Sequence, residues 1–170
     1  MDALKAALVL FVAALLQLAV LTEYRPFRSA SIVLVALLSI ALLRGSVFGA
    51  VAGFMTGLLL DTATLGTLGF TSLLLTVAGF WIGRYGETTA RDRFHAPYLS
   101  VAVVTVLYAF GEVVLQFVLG EPAPAGLVAN GLPLALLVNL LLTLPIYTLI
   151  RRLFPPLELG DRVREVRLLG

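Results

Sequence analysis

Apolar residues fall into six runs separated by short polar breaks: Leu4 to Leu21, Ser29 to Leu43, Ser46 to Leu60, Thr67 to Ile82, Pro97 to Leu119 and Leu127 to Ile150. Each run predicts a helix. Crossing the hydrocarbon core of a bilayer takes about 20 apolar residues, within a range of about 17–25. The first, fifth and sixth runs meet that length and the fourth is borderline. The second and third hold 15 residues each, or about 22 Å as helix. Helices this short thin the bilayer, pack among longer neighbours, or fold back without crossing. The reading adopted is two short spans joined by a tight Arg44–Gly45 turn, with a re-entrant pair as the alternative. Pro122 and Pro124 break the chain before the last run, and Pro133 and Pro145 lie inside it. Membrane helices tolerate such prolines where neighbours satisfy the freed carbonyls.

Composition supports this pattern. Of 170 residues, 60% are hydrophobic and 13% charged, with mean hydropathy +1.03. A soluble domain is nearer 45–50% apolar and about 25% charged. The chain is therefore expected to be an all-α integral membrane protein with six transmembrane helices. A six-helix domain over residues 1–152 is followed by an arginine-rich tail over 153–170. No loop has room for a soluble catalytic domain. The MDALK start, with Lys5 opposed by Asp2, is a weak basic region for a signal peptide, so the first run is expected to be a retained helix. The absence of cysteine excludes disulfides and thiolate metal sites.

The distribution of charge orients the helices. With six spans, one side receives Lys5, Arg44, Arg84, Arg91, Arg93, Arg151, Arg152, Arg162, Arg164 and Arg167. The other receives only Arg25 and Arg28. The positive-inside rule then puts both termini in the cytoplasm. Treating the second and third runs as re-entrant leaves the termini where they are.

The third run carries the most distinctive spacing. In GSVFGAVAGFMTGLLLD, Gly45, Gly49, Gly53 and Gly57 recur every fourth residue and lead to Asp61. Residues four apart share a helix face, so these five form one ridge, widened by Ala50 and Ala52. Glycine costs up to about 1 kcal/mol against alanine in a water-exposed helix. A groove that lets another backbone approach offsets that in a membrane. The partner is either internal or a second protein; the internal reading is preferred, because Gly79 and Gly83 of the next run offer a matching groove across a short loop. Asp61 is expected at the outer boundary, hydrated at low cost and accepting hydrogen bonds from the amides of the next turn. A partner or ligand contact is the alternative. Gly66 and Gly69 suit a tight turn and helix entry.

The run G-A-V-A-G-F-M-T-G-L-L-L-D-T-A-T-L-G-T-L-G resembles the central motif of the MreD family of bacterial rod-shape proteins, G-F-x-x-G-L-L-x-D followed by L-G. The match falls on Gly53, Phe54, Gly57, Leu58, Leu59, Asp61, Leu65 and Gly66. Chain length, the multi-span pattern and the basic tail are also similar. The resemblance implies a bacterial inner-membrane, multi-pass component of the elongation machinery that works with MreC, RodA, a class B penicillin-binding protein and the actin-like MreB. It also implies a fold similar to the substrate-binding component of energy-coupling-factor vitamin transporters.

Other candidate chemistry is sparse. Glu112 sits within the fifth run, where a charge at mid-membrane costs about 2.5–3.5 kcal/mol on insertion scales. Tyr108 and Gln116 lie four residues either side and share its face. Either Glu112 is a buried or snorkelling carboxylate bonded to Tyr108, Gln116 or Asn139, or it forms the wall of an outward polar cavity. Arg25 and Arg28 could pair with Glu23, Glu112 or Asp61. Asn130 and Asn139 suit interhelical hydrogen bonds. A lone His95 without cysteine or a second histidine makes zinc improbable, no P-loop or nucleophile–base pair is present, and no cofactor is expected. The tail suits anionic lipid headgroups or a cytoplasmic partner; nothing points to nucleic acid. The expected function is a non-catalytic scaffold or regulator of sidewall peptidoglycan synthesis. The rival is a small-molecule-binding component of a transporter, which needs an outward cavity lined by polar and aromatic groups.

Overall fold

The computed structural model describes residues 2–21, 31–64, 67–88, 95–118, 120 and 125–154. Among them are six helices and no strand. Helix α1 spans Asp2–Leu16 and runs on into a π-helical turn, Gln17–Leu21. The others are α2 (Ile32–Arg44), α3 (Ser46–Thr64), α4 (Phe70–Thr88), α5 (Ala96–Val118) and α6 (Ala125–Leu153). Three stretches are long and apolar enough to cross a membrane: Asp2–Ala19, Ser46–Thr64 and Asn130–Leu153. The number and order of helices match the six apolar runs.

Two boundaries require correction. Helix α3 does not end at Leu60 but continues to Thr64, giving 19 residues rather than 15. Helix α4 continues past Ile82 to Thr88. In each case the apolar run stops at polar residues, while the helix continues because those residues are satisfied within it. Thr62 donates to the carbonyls of Leu58 and Leu59, and Thr64 to that of Leu60. Thr88 likewise donates to Arg84 and Tyr85.

Helix α2 is the centre of the bundle and touches all five other helices. Every residue from Val33 to Leu43 is buried. That explains its uniformly apolar sequence, since a helix hydrophobic all round has no solvent face. One side of it meets Ala6, Leu10 and Ala14 of α1 together with Ile150 and Phe154. The other meets Ile82, Val101 and Val104. The outer surface of the bundle is apolar as well, with Leu8, Met55, Trp81, Phe110 and Leu141 all exposed. Such a surface suits lipid.

At 13 residues, α2 is about 20 Å long, shorter than the roughly 30 Å hydrocarbon core. Its ends therefore need partners from the protein. At the start, Ser31 Oγ accepts from Leu34 N–H at 3.0 Å, Gln17 Oε1 from Val33 N–H at 3.0 Å, and Asn139 Oδ1 from Ser31 N–H at 2.9 Å. Asn139 Nδ2 also donates to Thr105 Oγ1 at 3.0 Å. One buried amide thus ties α6 to α5 and to the entry of α2. At the far end, Gly45 adopts φ +97° and donates to the Ala41 carbonyl at 2.8 Å. A left-handed glycine here turns the chain directly into α3. Arg44 completes that end, with its guanidinium 3.1 Å from Asp2 and over the ring of Phe154.

Candidate functional site

Helix α3 presents small residues on two faces, and the structure treats them differently. The first face is the glycine ridge, which packs antiparallel against α4. A Cβ added at Gly49 would strike the Gly79 carbonyl oxygen, and one added at Gly79 would strike that of Gly49. Gly53 lies against the backbone of Leu75, Gly57 against that of Ser72, and Gly83 against that of Gly45 and Ser46. Ridge and groove therefore belong to one chain, backbone on backbone. Gly86 extends the seam by lying against the Leu42 carbonyl of α2. Gly86 lies four residues past the end of the apolar run at Ile82, where hydropathy gives no signal.

The seam is clasped at both ends by carboxylates. Asp61, at 2% exposure, is not the hydrated boundary residue expected. Its Oδ2 accepts from Gly69 N–H at 2.8 Å and Ser72 N–H at 3.3 Å, and its Oδ1 from Thr71 N–H at 3.2 Å. Phe70 N–H goes to the Thr67 carbonyl. All the orphan donors in the first turn of α4 are thus satisfied, and a negative group sits at the positive end of the helix dipole. Burial is tolerable because the carboxylate takes over as the cap of a neighbouring helix.

Glu87 does the same at the other end. Its Oε1 accepts from the Ser46 N–H at 2.8 Å and from Ser46 Oγ at 3.0 Å. Its Oε2 faces Arg84 at 3.4 Å. Glu87 lies beyond the apolar run, and its carboxyl is held below the ordinary value of 4.5, first by the Ser46 N–H and then by the Ser46 hydroxyl. Burial opposes this, and Arg84 adds a smaller lowering. Each helix therefore caps its partner's N-terminus from near its own C-terminus. Ser46 and Ser72, Gly53 and Gly79, Gly57 and Gly83, and Asp61 and Glu87 are each 26 residues apart, which gives the pair a local pseudo-two-fold symmetry.

The remaining motif residues divide by face. Phe54 and Leu58 point outward and are exposed, while Leu59 packs against the core. Leu65 and Gly66 lie outside the described residues. Tyr108 is half-buried between the two halves of the core. The side chains of Glu112 and Gln116 lie outside the described residues, as do Arg25, Arg28 and the tail from residue 155. The polar face centred on Glu112 is therefore not described. Among the described residues no group of three His, Asp or Glu side chains could hold a metal.

The second face of α3 looks onto α1 and is open. Between the two helices lies an apolar cleft of about 460 Å³, with Ala3, Ala7 and Phe11 on one wall and Phe48, Ala52 and Thr56 on the other. No curated protein and no solved structure matches the chain. A family model described as rod shape-determining protein MreD matches residues 3–153, which takes in nearly all of α1 and every helix through α6.

Proposed function

We propose that this chain, which belongs to the MreD family of rod shape-determining proteins, works there as a non-catalytic membrane scaffold. Family membership assigns it a role in setting rod shape. The proposal adds how: the bundle holds or regulates the partners that build sidewall peptidoglycan. MreC is the foremost partner in this reading, with RodA and a class B penicillin-binding protein beside it and MreB reached from the cytoplasmic side. The reading includes six crossings of the bacterial inner membrane with both termini cytoplasmic, in a fold akin to the substrate-binding component of energy-coupling-factor transporters.

One observation carries the choice of a scaffold over a solute-binding protein. Three polar groups that could line a ligand cavity hold helices together instead: buried Asp61 caps α4, buried Asn139 joins α5, α6 and α2, and half-buried Gln17 caps α2. The 460 Å³ cleft is walled by alanine, leucine, valine, methionine and phenylalanine, with Thr56 as the single polar side chain in its lining among the described residues. A small-molecule site normally adds a few convergent polar groups to its apolar walls.

The test is gentle co-purification from native membranes, with mass spectrometry of what remains bound. MreC recovered with RodA or its transpeptidase is the expected result. An ATPase pair recovered with a transmembrane coupling subunit would overturn the scaffold in favour of a transporter component.

A further inference from the structure

We infer that the cleft between α1 and α3 is the seat of one transmembrane helix of a partner protein, and that Thr56 is its hydrogen-bonding anchor. The inference deepens the scaffold reading and rests on it for the partner being a protein of the same assembly.

Shape is the first argument. Ala3 and Ala7 on α1 and Ala52 and Thr56 on α3 are two small-xxx-small pairs facing one cleft. Small residues at that spacing let a third backbone come close, as the glycine ridge does on the adjacent face of α3. In the seam the approaching backbone is α4. In the cleft no element of the described chain fills the space.

Thr56 is the second, independent argument. It is 6% exposed, lines the cleft and makes no hydrogen bond among the described residues. Thr62, Thr64, Thr76, Thr88, Thr143 and Thr148 all return their hydroxyls to carbonyls of their own helices. Thr56 does not. It stands ten residues after Ser46 and eight before Thr64, so roughly 15 Å and 12 Å from the two ends of α3. In a helix that crosses the bilayer this is mid-membrane, where an acyl chain offers no acceptor. A helix carrying serine, threonine, asparagine or a proline-freed carbonyl at mid-membrane does. A lone helix also enters where a second copy of this bundle would not. In a bundle, flanking helices meet the rims of the cleft before the central one reaches its floor.

The test places a photo-crosslinking amino acid at Met55, an exposed residue of the cleft, in the full chain in native membranes. A control carries it at Trp81, equally exposed on α4 and away from the cleft. A protein adduct at position 55, absent at 81 and mapped by mass spectrometry to a single-span segment, is expected. Thr56→Val should weaken that adduct about three- to tenfold, matching the loss of one interhelical hydrogen bond, while Thr56→Ser retains it. Thermal unfolding of each variant in detergent checks the fold, and a second probe at Val51 guards against loss of the first. A lipid adduct, an adduct of twice the chain's own mass, or no difference between positions 55 and 81 would each overturn the inference. Those results leave co-purification of the partner intact, so failure of the cleft is distinguishable from failure of the scaffold.

Discussion

The glycine face and the alanine–threonine face of α3 are built from the same kind of residue and reach different ends. On the glycine face, Gly49, Gly53 and Gly57 are filled by the backbone of α4, and the carboxylates of Asp61 and Glu87 lock the register. On the other face, Ala52 and Thr56 look across a cleft at Ala3 and Ala7, with no carboxylate and no polar partner in place. Small residues alone therefore do not tell a finished internal seam from a surface awaiting a partner. What separates them is whether the polar groups beside them are satisfied. Asp61 accepts three amide hydrogen bonds, whereas Thr56 makes none among the described residues.

The comparison breaks most sharply at the seam. Gly49→Leu drives a side chain into the Gly79 carbonyl, a backbone atom that cannot swing aside. It is expected to cost about 3 kcal/mol or more of stability, read as a large fall in melting temperature in detergent. Next is Asp61→Ala, which leaves the amides of Gly69, Thr71 and Ser72 without their acceptor; a loss of about 3 kcal/mol is expected. Asp61→Asn, which keeps one acceptor oxygen, should fall between that variant and the native protein in chemical unfolding.

Glu87 is more accessible than Asp61, so Glu87→Gln should cost only about 1 kcal/mol. Its pH dependence has a definite sign. The folded carboxyl titrates below the ordinary value of 4.5, so its contribution is complete above that value and is lost as pH falls through the folded-state value. The native protein should therefore lose stability on acidification below about 4.5, and Glu87→Gln should lose less over the same interval. Unfolding curves at neutral and acid pH compare the two directly. Equal losses would show that Glu87 is not the group responsible.

The smallest expected effect sharpens the comparison from the open side. Thr56→Val and Val51→Trp alter the cleft without touching the seam. Each should change stability by no more than about 0.5 kcal/mol, yet reduce partner retention in co-purification. A fall in stability matching that of Gly49→Leu would mean the cleft is closed in the native protein and that both faces are structural.

Much of this was legible in the chain itself. Six apolar runs gave six helices in order. Fourfold glycine spacing gave the ridge, and the short connection to Gly79 and Gly83 gave its partner. The helix ends were less legible, because hydropathy registers polarity and not satisfaction. It stops at Leu60 and at Ile82, where the helices continue. For the same reason the sequence places Asp61 in water: the amide bonds it expects are present, but hydropathy does not register that they satisfy a buried carboxylate. Gly86 and Glu87 fell beyond the apolar run, although the 26-residue offset from Asp61 to Glu87 was present in the sequence. The Asn139–Ser31 bond joins residues 108 apart, and no local pattern announces it. The cleft was invisible because Ala3, Ala7, Ala52 and Thr56 come together only when α1 packs beside α3.

The most direct test compares Gly49→Leu with Val51→Trp in one membrane preparation, scoring unfolding of the chain and retention of MreC, the partner proposed above, together. The account predicts that Gly49→Leu loses both, whereas Val51→Trp keeps native stability and loses the partner. A Gly49→Leu protein that unfolds like the native chain but releases MreC would contradict it, placing the glycine ridge at the surface between proteins instead of at the seam within one.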